Sequence, residues 1–292
     1  MNKISKVKIV FLGTGTPNPT PERSGPAVAI VIDNDAYLID AGINIVRQAE
    51  MARRLHSIEA LKACNLKKVF ITHLHSDHTL GLADLILTPW ILEREEPLNV
   101  FGPNGIKSMT DNLLKAYEVD IAGRLNGLEP INTTGYRVNA KEIEEEGLIY
   151  EDENVSVIAF RVNHMPFDAF GFKFITKDET IVISGDTAPN ENLIKHAKDC
   201  DVLIHEVFSS TGVKDREMLW AIYHGSVHTS SIDLGKVCKS INPGKLILYH
   251  QLFMIDNYYD EDKEKLREEE MIKQIKQNYK GQVYSAKDLE LF

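Results

Sequence analysis

Five short apolar runs in this sequence end directly on a histidine or an aspartate. Residues 37–39 lead into Asp40, 69–72 into His73, 181–185 into Asp186, 202–204 into His205 and 246–249 into His250. Runs this short and this rich in β-branched residues read as strands, several of them buried on both faces. One polar residue after such a run is commonly a satisfied side chain at a strand end. Five together point to strands that deliver polar groups to one edge, where loops hold a site on a rigid scaffold.

Other strand-like runs cover residues 7–12, 27–32, 99–101, 155–162 and 170–175. Amphipathic helical patterns lie between them at 46–54, 58–64, 106–117, 190–198 and 232–240, and a last helix with mixed charges is expected over 261–279. The alternation predicts an α/β fold. With no linker or low-complexity stretch, residues 1–292 read as a single domain. The two halves echo each other weakly, Leu-Ile-Asp-Ala-Gly at 38–42 against Ile-Ser-Gly-Asp-Thr at 183–187.

With 43% hydrophobic residues the chain can bury a sizeable core. Its net charge of −10 counts against non-specific binding to nucleic acid, which depends on phosphate neutralisation by Lys and Arg. Cys64, Cys200 and Cys238 lie far apart with no paired spacing, which suits a reducing cytoplasm. The segment 1–11 reads as a first strand rather than a signal peptide, and the apolar stretch 82–92 is too short to span a bilayer. A cytoplasmic protein without membrane contact is expected.

The densest chemistry is Thr72-His73-Leu74-His75-Ser76-Asp77-His78, an HxHxDH run. Four imidazole or carboxylate groups within six residues have no evident partner to offset desolvation unless they bind a cation. Histidine and aspartate suit zinc and neighbouring divalent metals, and the lack of a thiolate sets aside a soft-ligand structural site. The spacing favours two ions, with His73 and His75 alternating toward one while Asp77 and His78 reach a second.

This run resembles the signature of the metallo-β-lactamase superfamily, whose fold is a four-layer αβ/βα sandwich of two mixed β-sheets flanked by helices. The resemblance extends over nearly the whole chain: Asn163-His164-Met165 is similar to the isolated third histidine, Ser184-Gly185-Asp186-Thr187 to the bridging-aspartate motif, and Leu248-Tyr249-His250 to the last histidine. It implies His73, His75 and His164 on one metal, Asp77, His78 and His250 on the other, and Asp186 bridging. Asp40 would orient a ligand histidine by a hydrogen bond. The implied cofactors are two divalent ions, Zn2+ first, although the same donors accept Mn2+ or Fe2+.

Ile204-His205-Glu206-Val207 and Val227-His228-Thr229-Ser230 resemble two further motifs of ribonuclease Z, the endonuclease that trims tRNA 3′ ends, as do residues 11–16 and Phe101-Gly102-Pro103. Bacterial ribonuclease Z carries a flexible tRNA-gripping arm just before the Ser-Gly-Asp-Thr motif, and residues 173–183 leave no room for one. HEVF also replaces the HEAT of the processing enzymes, and a longer loop is expected over 209–227, with Met218, Trp220, Tyr223 and His224 in it. The pattern is closer to arm-less relatives, which include metal-dependent arylsulfatases and small-molecule phosphodiesterases.

The resemblance therefore implies a binuclear hydrolase of phosphodiester or sulfate esters with a small or aryl leaving group. Two cations about 3.5–4 Å apart can share a bridging hydroxide as nucleophile, with Asp77 placed to accept a proton. His228 beside Glu206 would protonate the leaving oxygen or stabilise its charge, since a neighbouring carboxylate raises an imidazole pKa. The expected partner is a small-molecule ester, with nucleic acid not favoured and a homodimer implied by the relatives. Two other readings stay open: tRNA 3′ processing, kept by the HEV and HTS motifs, and a non-catalytic metal- or ligand-binding scaffold, opposed by the complete ligand set. Trp220 and Tyr223 are either a wall of a substrate pocket or a packing or dimer contact, and His224 either lines that pocket or sits on the loop.

Overall fold

Buried apolar runs make the centres of two mixed β-sheets, one in each of two compact units. The computed structural model describes residues 7–255 and 260–292. Within that range the first unit takes the described part of Met1–Gly13 with Arg23–Glu144 and Asp288–Phe292, and the second takes Thr14–Glu22 and the described part of Glu145–Lys287.

In the first unit β1 (Val7–Gly13), β2 (Ala27–Ile32), β3 (Asp35–Ile39), β4 (Lys68–Phe70), β5 (Leu98–Gly102) and β6 (Val138–Glu142) lie side by side in that order. The pairs β1–β2 and β2–β3 are antiparallel, and β3 to β6 run parallel. Parallel neighbours need crossover connections. Here α1 (Ile45–His56), α2 (Ser76–Thr79), α3 (Leu82–Ile91), α4 (Ile106–Ala116) and α5 (Glu118–Asn126) occupy them. Leu38, Val69 and Val100 of the sheet share a core with Ala49, Leu85 and Trp90 of the helices. Residues 58–64, expected as an amphipathic helix, form two 3₁₀ turns instead, Glu59–Leu61 and Ala63–Asn65. Lys62 between them has ψ 137°, which interrupts the helical run.

Two contacts hold the region around the HxHxDH run. A Cβ on Gly42 would lie 2.2 Å from the carbonyl carbon of Gly25, and one on Gly81 2.2 Å from the Gly42 oxygen. Only glycine permits these approaches, and they bring the segment after β3 close enough for the Ala41 amide to donate to the His78 carbonyl at 2.8 Å. After α3, the fully buried Arg94 guanidinium donates to the carbonyls of Leu66, Leu85, Ile86 and Gly135. These acceptors replace a carboxylate partner, and burial pushes the guanidinium down to about 10.

The second unit lines up β7 (Gly147–Glu151), β8 (Val155–Arg161), β9 (Phe170–Thr176), β10 (Thr180–Ile183), β11 (Val202–Phe208), β12 (Lys245–Leu252) and β13 (Gln282–Ser285). It repeats the plan of the first: β7 to β10 are antiparallel, and β10 to β13 are parallel. Its helices are α6 (Glu191–Ala197), α7 (Met218–Val227), α8 (Ser231–Ile241) and α9 (Glu261–Asn278). The side chains of Asn190, Ser230 and Asp260 accept from backbone amides at the starts of α6, α8 and α9, each satisfying a donor that a helix leaves open. Val182, Leu203, Leu246, Leu234, Val237 and Ile275 meet in its core.

The expected strands are present, the first from Val7 onward because residues 1–6 lie outside the described residues. No strand is predicted over β6, β7 or β13, and all three are edge strands, where half-exposed and charged residues take the place of an apolar run. Residues 209–227 are not simply a loop, since α7 fills their second half. Among the described residues no helix is long and apolar enough to cross a membrane. Arg94→Leu strips four buried carbonyls of their donor and is expected to cost at least about 3 kcal/mol, checked as a lowered urea midpoint with an unchanged far-ultraviolet circular dichroism spectrum in water.

Candidate functional site

The first unit carries the HxHxDH run on the connection from β4 to α2. His73 and His75 lie on the extended stretch after β4, and α2 then turns Asp77 and His78 back. His73 Nε2 and His75 Nδ1 approach to 2.9 Å, the His73 and His78 rings are 4.2 Å apart, and Asp77 Oδ2 is 3.5 Å from His78 Nε2. All are buried except His75, which is half-buried.

Asp40 sets the orientation of these rings. It follows β3 in the left-handed region at φ 60°, which aspartate tolerates better than most residues. His78 Nδ1–H donates to Asp40 Oδ2 at 2.8 Å, which leaves the His78 lone pair on Nε2. The Thr72 amide donates to Asp40 Oδ1 at 2.8 Å, and the Thr72 hydroxyl lies 3.0 Å from both carboxylate oxygens. With that proton given to Asp40, Thr72 Oγ1 accepts from His73 Nδ1–H at 3.0 Å, so His73 also keeps its lone pair on Nε2. Thr72 is thus a positioning residue that the sequence reading passed over, although it opens the motif.

In the second unit, Asp186 follows β10 and Gly185, whose φ is 61°. The strand-end reading is corrected at two of the five runs. His205 lies inside β11 and His250 inside β12. Pairing between β11 and β12 steps from Glu206↔Tyr249 to Val207↔Gln251, skipping His250, whose φ is 44°. His250 is therefore the extra residue of a β-bulge, a device that re-aims a side chain without ending the strand. Its Nε2 comes 3.5 Å from Asp186 Oδ2.

His164 Nδ1–H donates to the Val227 carbonyl at 2.8 Å, which places its lone pair on Nε2 as well. Burial lowers the His164 pKa, with Asp186 acting in the opposite direction, so the neutral, ligating form is favoured. His228 Nδ1 lies 3.5 Å from Glu206 Oε1 and 3.9 Å from Asp186 Oδ2. The expected grip of Glu206 on His228 is looser than a hydrogen bond. Instead, Glu206 Oε1 accepts from the amides of Thr229 at 2.8 Å and Thr187 at 3.2 Å, backbone donors with no side-chain signature in the sequence. His205 is buried with Nδ1 at 2.6 Å from the Glu206 carbonyl, and burial lowers its pKa. His224 is pushed down to about 4, by burial first and then by His228, Arg216 and His250.

His73, His75, Asp77, His78, His164, Asp186 and His250 are candidate metal-binding residues. Their donor set of imidazole nitrogens and carboxylate oxygens, with three of the rings held by hydrogen bonds that leave Nε2 as the lone-pair nitrogen, fits a divalent cation.

Two mixed sheets flanked by helices match the metallo-β-lactamase fold, and with its likeness to ribonuclease Z the chain is a metallo-β-lactamase-superfamily hydrolase of the ribonuclease Z-like kind. A protein-family model described as Anti-Pycsar protein Apyc1 matches residues 7–278, and the chain belongs to that family. Ribonuclease Z of Pyrococcus horikoshii is 30% identical over 281 residues, covering 84% of this chain and 86% of that one. The metallo-β-lactamase fold protein YhfI from Bacillus subtilis superposes with a TM-score of 0.70 at 15% identity, covering 99% of each chain. Zn(2+)-bound PqqB from Methylobacterium extorquens does so with a TM-score of 0.66 at 14% identity, covering 98% of this chain and 99% of that one.

Thr72→Val removes the hydroxyl that links Asp40 to His73 while keeping the side-chain volume. It is expected to weaken Zn2+ binding about 10–100-fold, measured by titration calorimetry, without lowering the melting temperature of the metal-free protein by more than a few degrees.

Proposed function

We propose that the chain, acting as one domain over residues 1–292, is a binuclear metal-dependent hydrolase of phosphodiester or sulfate esters with a small or aryl leaving group. Its metals, Zn2+ first, take the ligands that the family pattern implies: His73, His75 and His164 for one, Asp77, His78 and His250 for the other, and Asp186 for both. Bound there, divalent cations lower the pKa of a coordinated water and offset negative charge on the ester.

The chain's own residues do the rest. Asp40 and Thr72 hold two imidazoles in the ligating tautomer, and the Val227 carbonyl does the same for His164. Asp77, nearly closed off from solvent at 7% exposure, accepts a proton in a space where water competes little. His228 gives a proton to the departing oxygen, and the Glu206 carboxylate 3.5 Å away stabilises its charged form. Thr187 and Thr229 fix Glu206 through their amides.

The observation that carries a small ester over tRNA is the connection from β9 to β10. The two strands pair directly, Ile175 opposite Thr180, and the Glu179 amide donates to Thr176 Oγ1 at 2.9 Å. This tight hairpin stands where bacterial ribonuclease Z enzymes carry the tRNA-gripping arm. The likeness to the Pyrococcus horikoshii ribonuclease Z favours tRNA 3′ processing as the second reading.

Turnover by metal-loaded protein is expected on bis-p-nitrophenyl phosphate or p-nitrophenyl sulfate, and not on a 3′-extended precursor tRNA, with Asp186→Ala inactive and poorer in metal. Position-specific tRNA cleavage at a rate above that of the small esters would overturn the reading. His228→Ala is expected to lower kcat at least about 100-fold with metal content unchanged by atomic absorption, and loss of metal in that variant would remove His228 from its role.

A further inference from the structure

Strand β10 stops before its parallel neighbour β11 does. The two pair as far as Ile183 opposite Ile204, and the Ser184 amide adds a last bond to the Ile204 carbonyl at 3.0 Å. Along a parallel strand, successive residues turn their N–H and C=O to alternate neighbours. Ile204 turns its carbonyl to the β10 side, so Glu206, two residues on, turns both of its main-chain groups there too. By that point the chain leaving β10 has bent away at Gly185, whose φ is 61°. Glu206 is fully buried, and a buried main chain needs partners from somewhere. Side chains supply them. The Glu206 amide donates to Ser184 Oγ at 3.3 Å, and that hydroxyl donates on to the Gly185 carbonyl at 2.6 Å. The Glu206 carbonyl accepts from His205 Nδ1–H at 2.6 Å.

Histidine is an odd choice at position 205. Residues 203, 205 and 207 share one face of β11, and Leu203 and Val207 both belong to the apolar core of the second unit. His205 is fully buried, and its Nε2 has no hydrogen-bond partner among the described residues. A leucine would pack there without an unsatisfied nitrogen, so the imidazole calls for a reason. A carbonyl only accepts, so Nδ1 carries the proton, and burial keeps the ring neutral. The ring is a fixed donor, aimed at one acceptor.

We propose that His205 is the positioning residue of Glu206, standing in for the ladder donor lost where β10 ends. With the carbonyl of Glu206 held by His205 and the amide by Ser184, the main chain cannot rotate on either side of its Cα. The side chain therefore leaves the strand in one direction, and the amides of Thr187 and Thr229 fix Oε1 at its far end. That places the carboxylate 3.5 Å from His228 Nδ1. His205 touches neither the ester nor His228 in this role and works through Glu206 alone. Its bearing on catalysis rests on the hydrolase reading above, to which it adds the group that keeps the Glu206 carboxylate aimed.

Leucine and asparagine have nearly the same branched shape, but only asparagine keeps an N–H donor where Nδ1 stands. In the Zn2+-loaded full chain, His205→Leu is expected to lower kcat for bis-p-nitrophenyl phosphate roughly 10–100-fold, with KM within about twofold. His205→Asn is expected to restore most of that loss. A residue that merely filled the core would give the opposite order, with leucine tolerated and the buried amide not. Because His205 acts through Glu206 on His228, His205→Leu is expected to cause no further loss in a His228→Ala background. Ring signals of 15N-histidine-labelled protein give a reading that needs no turnover. His205, identified by the signals missing from His205→Asn, is expected to show a protonated Nδ1 and a bare Nε2, and the His228 signals to move in His205→Leu but not in His205→Asn. The tautomer is read on the unaltered chain, so it decides even where His205→Leu does not fold. A protonated Nε2, an unchanged kcat in His205→Leu, or an additive loss in the His228→Ala background each overturns the inference. Ring signals that follow the expected pattern while no ester is turned over keep His205 in its place beside Glu206 and remove the hydrolase.

Discussion

Asp40 is a buried anion that receives the Thr72 amide, the Thr72 hydroxyl and the His78 ring. Burying a carboxylate without such donors costs several kcal/mol, so the fold around it is as much a consequence of the charge as its cause. The glycines at 25, 42 and 81 let backbones approach until the Asp40–Ala41 turn touches α2. From that one group two imidazoles inherit their tautomers. Imidazole at the end of a free side chain has two nitrogens to offer and several rotamers. Here the choice is made before any cation arrives, which is what preorganisation of a site means in physical terms.

The second unit solves the same problem differently. In both sheets the acidic residue follows the strand at which antiparallel pairing gives way to parallel pairing, β3 before Asp40 and β10 before Asp186. Asp40 turns away from the strand by its own left-handed backbone, whereas Asp186 relies on Gly185. Around Asp186 the orienting groups are mostly backbone: the Val227 carbonyl, the amides of Thr187 and Thr229, and the bulge that turns His250. Main-chain groups have no side-chain torsions to rotate about and hold position more firmly than side chains do.

This difference explains what could be read in advance. The HxHxDH run is legible because imidazoles and carboxylates cluster where desolvation forbids them without a role, whereas the isolated His164 and His250 are assigned by their resemblance to family motifs. The central strands are legible because burial on both faces forces continuous apolar runs. Edge strands such as Val138–Glu142 escape notice because half their side chains face water. The bulge at His250 is invisible for another reason: it is a property of the pairing between β11 and β12, and no single stretch encodes it. The helix at Met218–Val227 lacks apolar periodicity, so nothing in its pattern separates it from a loop. Glu206 was found by motif, but its amide partners leave no mark in the sequence.

The far end of the chain has a consequence for how the molecule is made. β1 is completed by residues 289–292: the amides of Ile9 and Phe11 donate to the carbonyls of Phe292 and Glu290, and the amides of Phe292 and Leu289 donate back to the carbonyls of Ile9 and Phe11. Asp288 joins in by accepting from the Ser24 amide and the Gln48 side chain. During synthesis, then, the second unit is translated in full while the edge of β1 still lacks its neighbour. An unpaired buried-type strand is an invitation to pair with another chain, and contacts of such long sequence separation form slowly. A nascent chain of this protein must keep that edge out of reach of its neighbours until residues 289–292 have emerged.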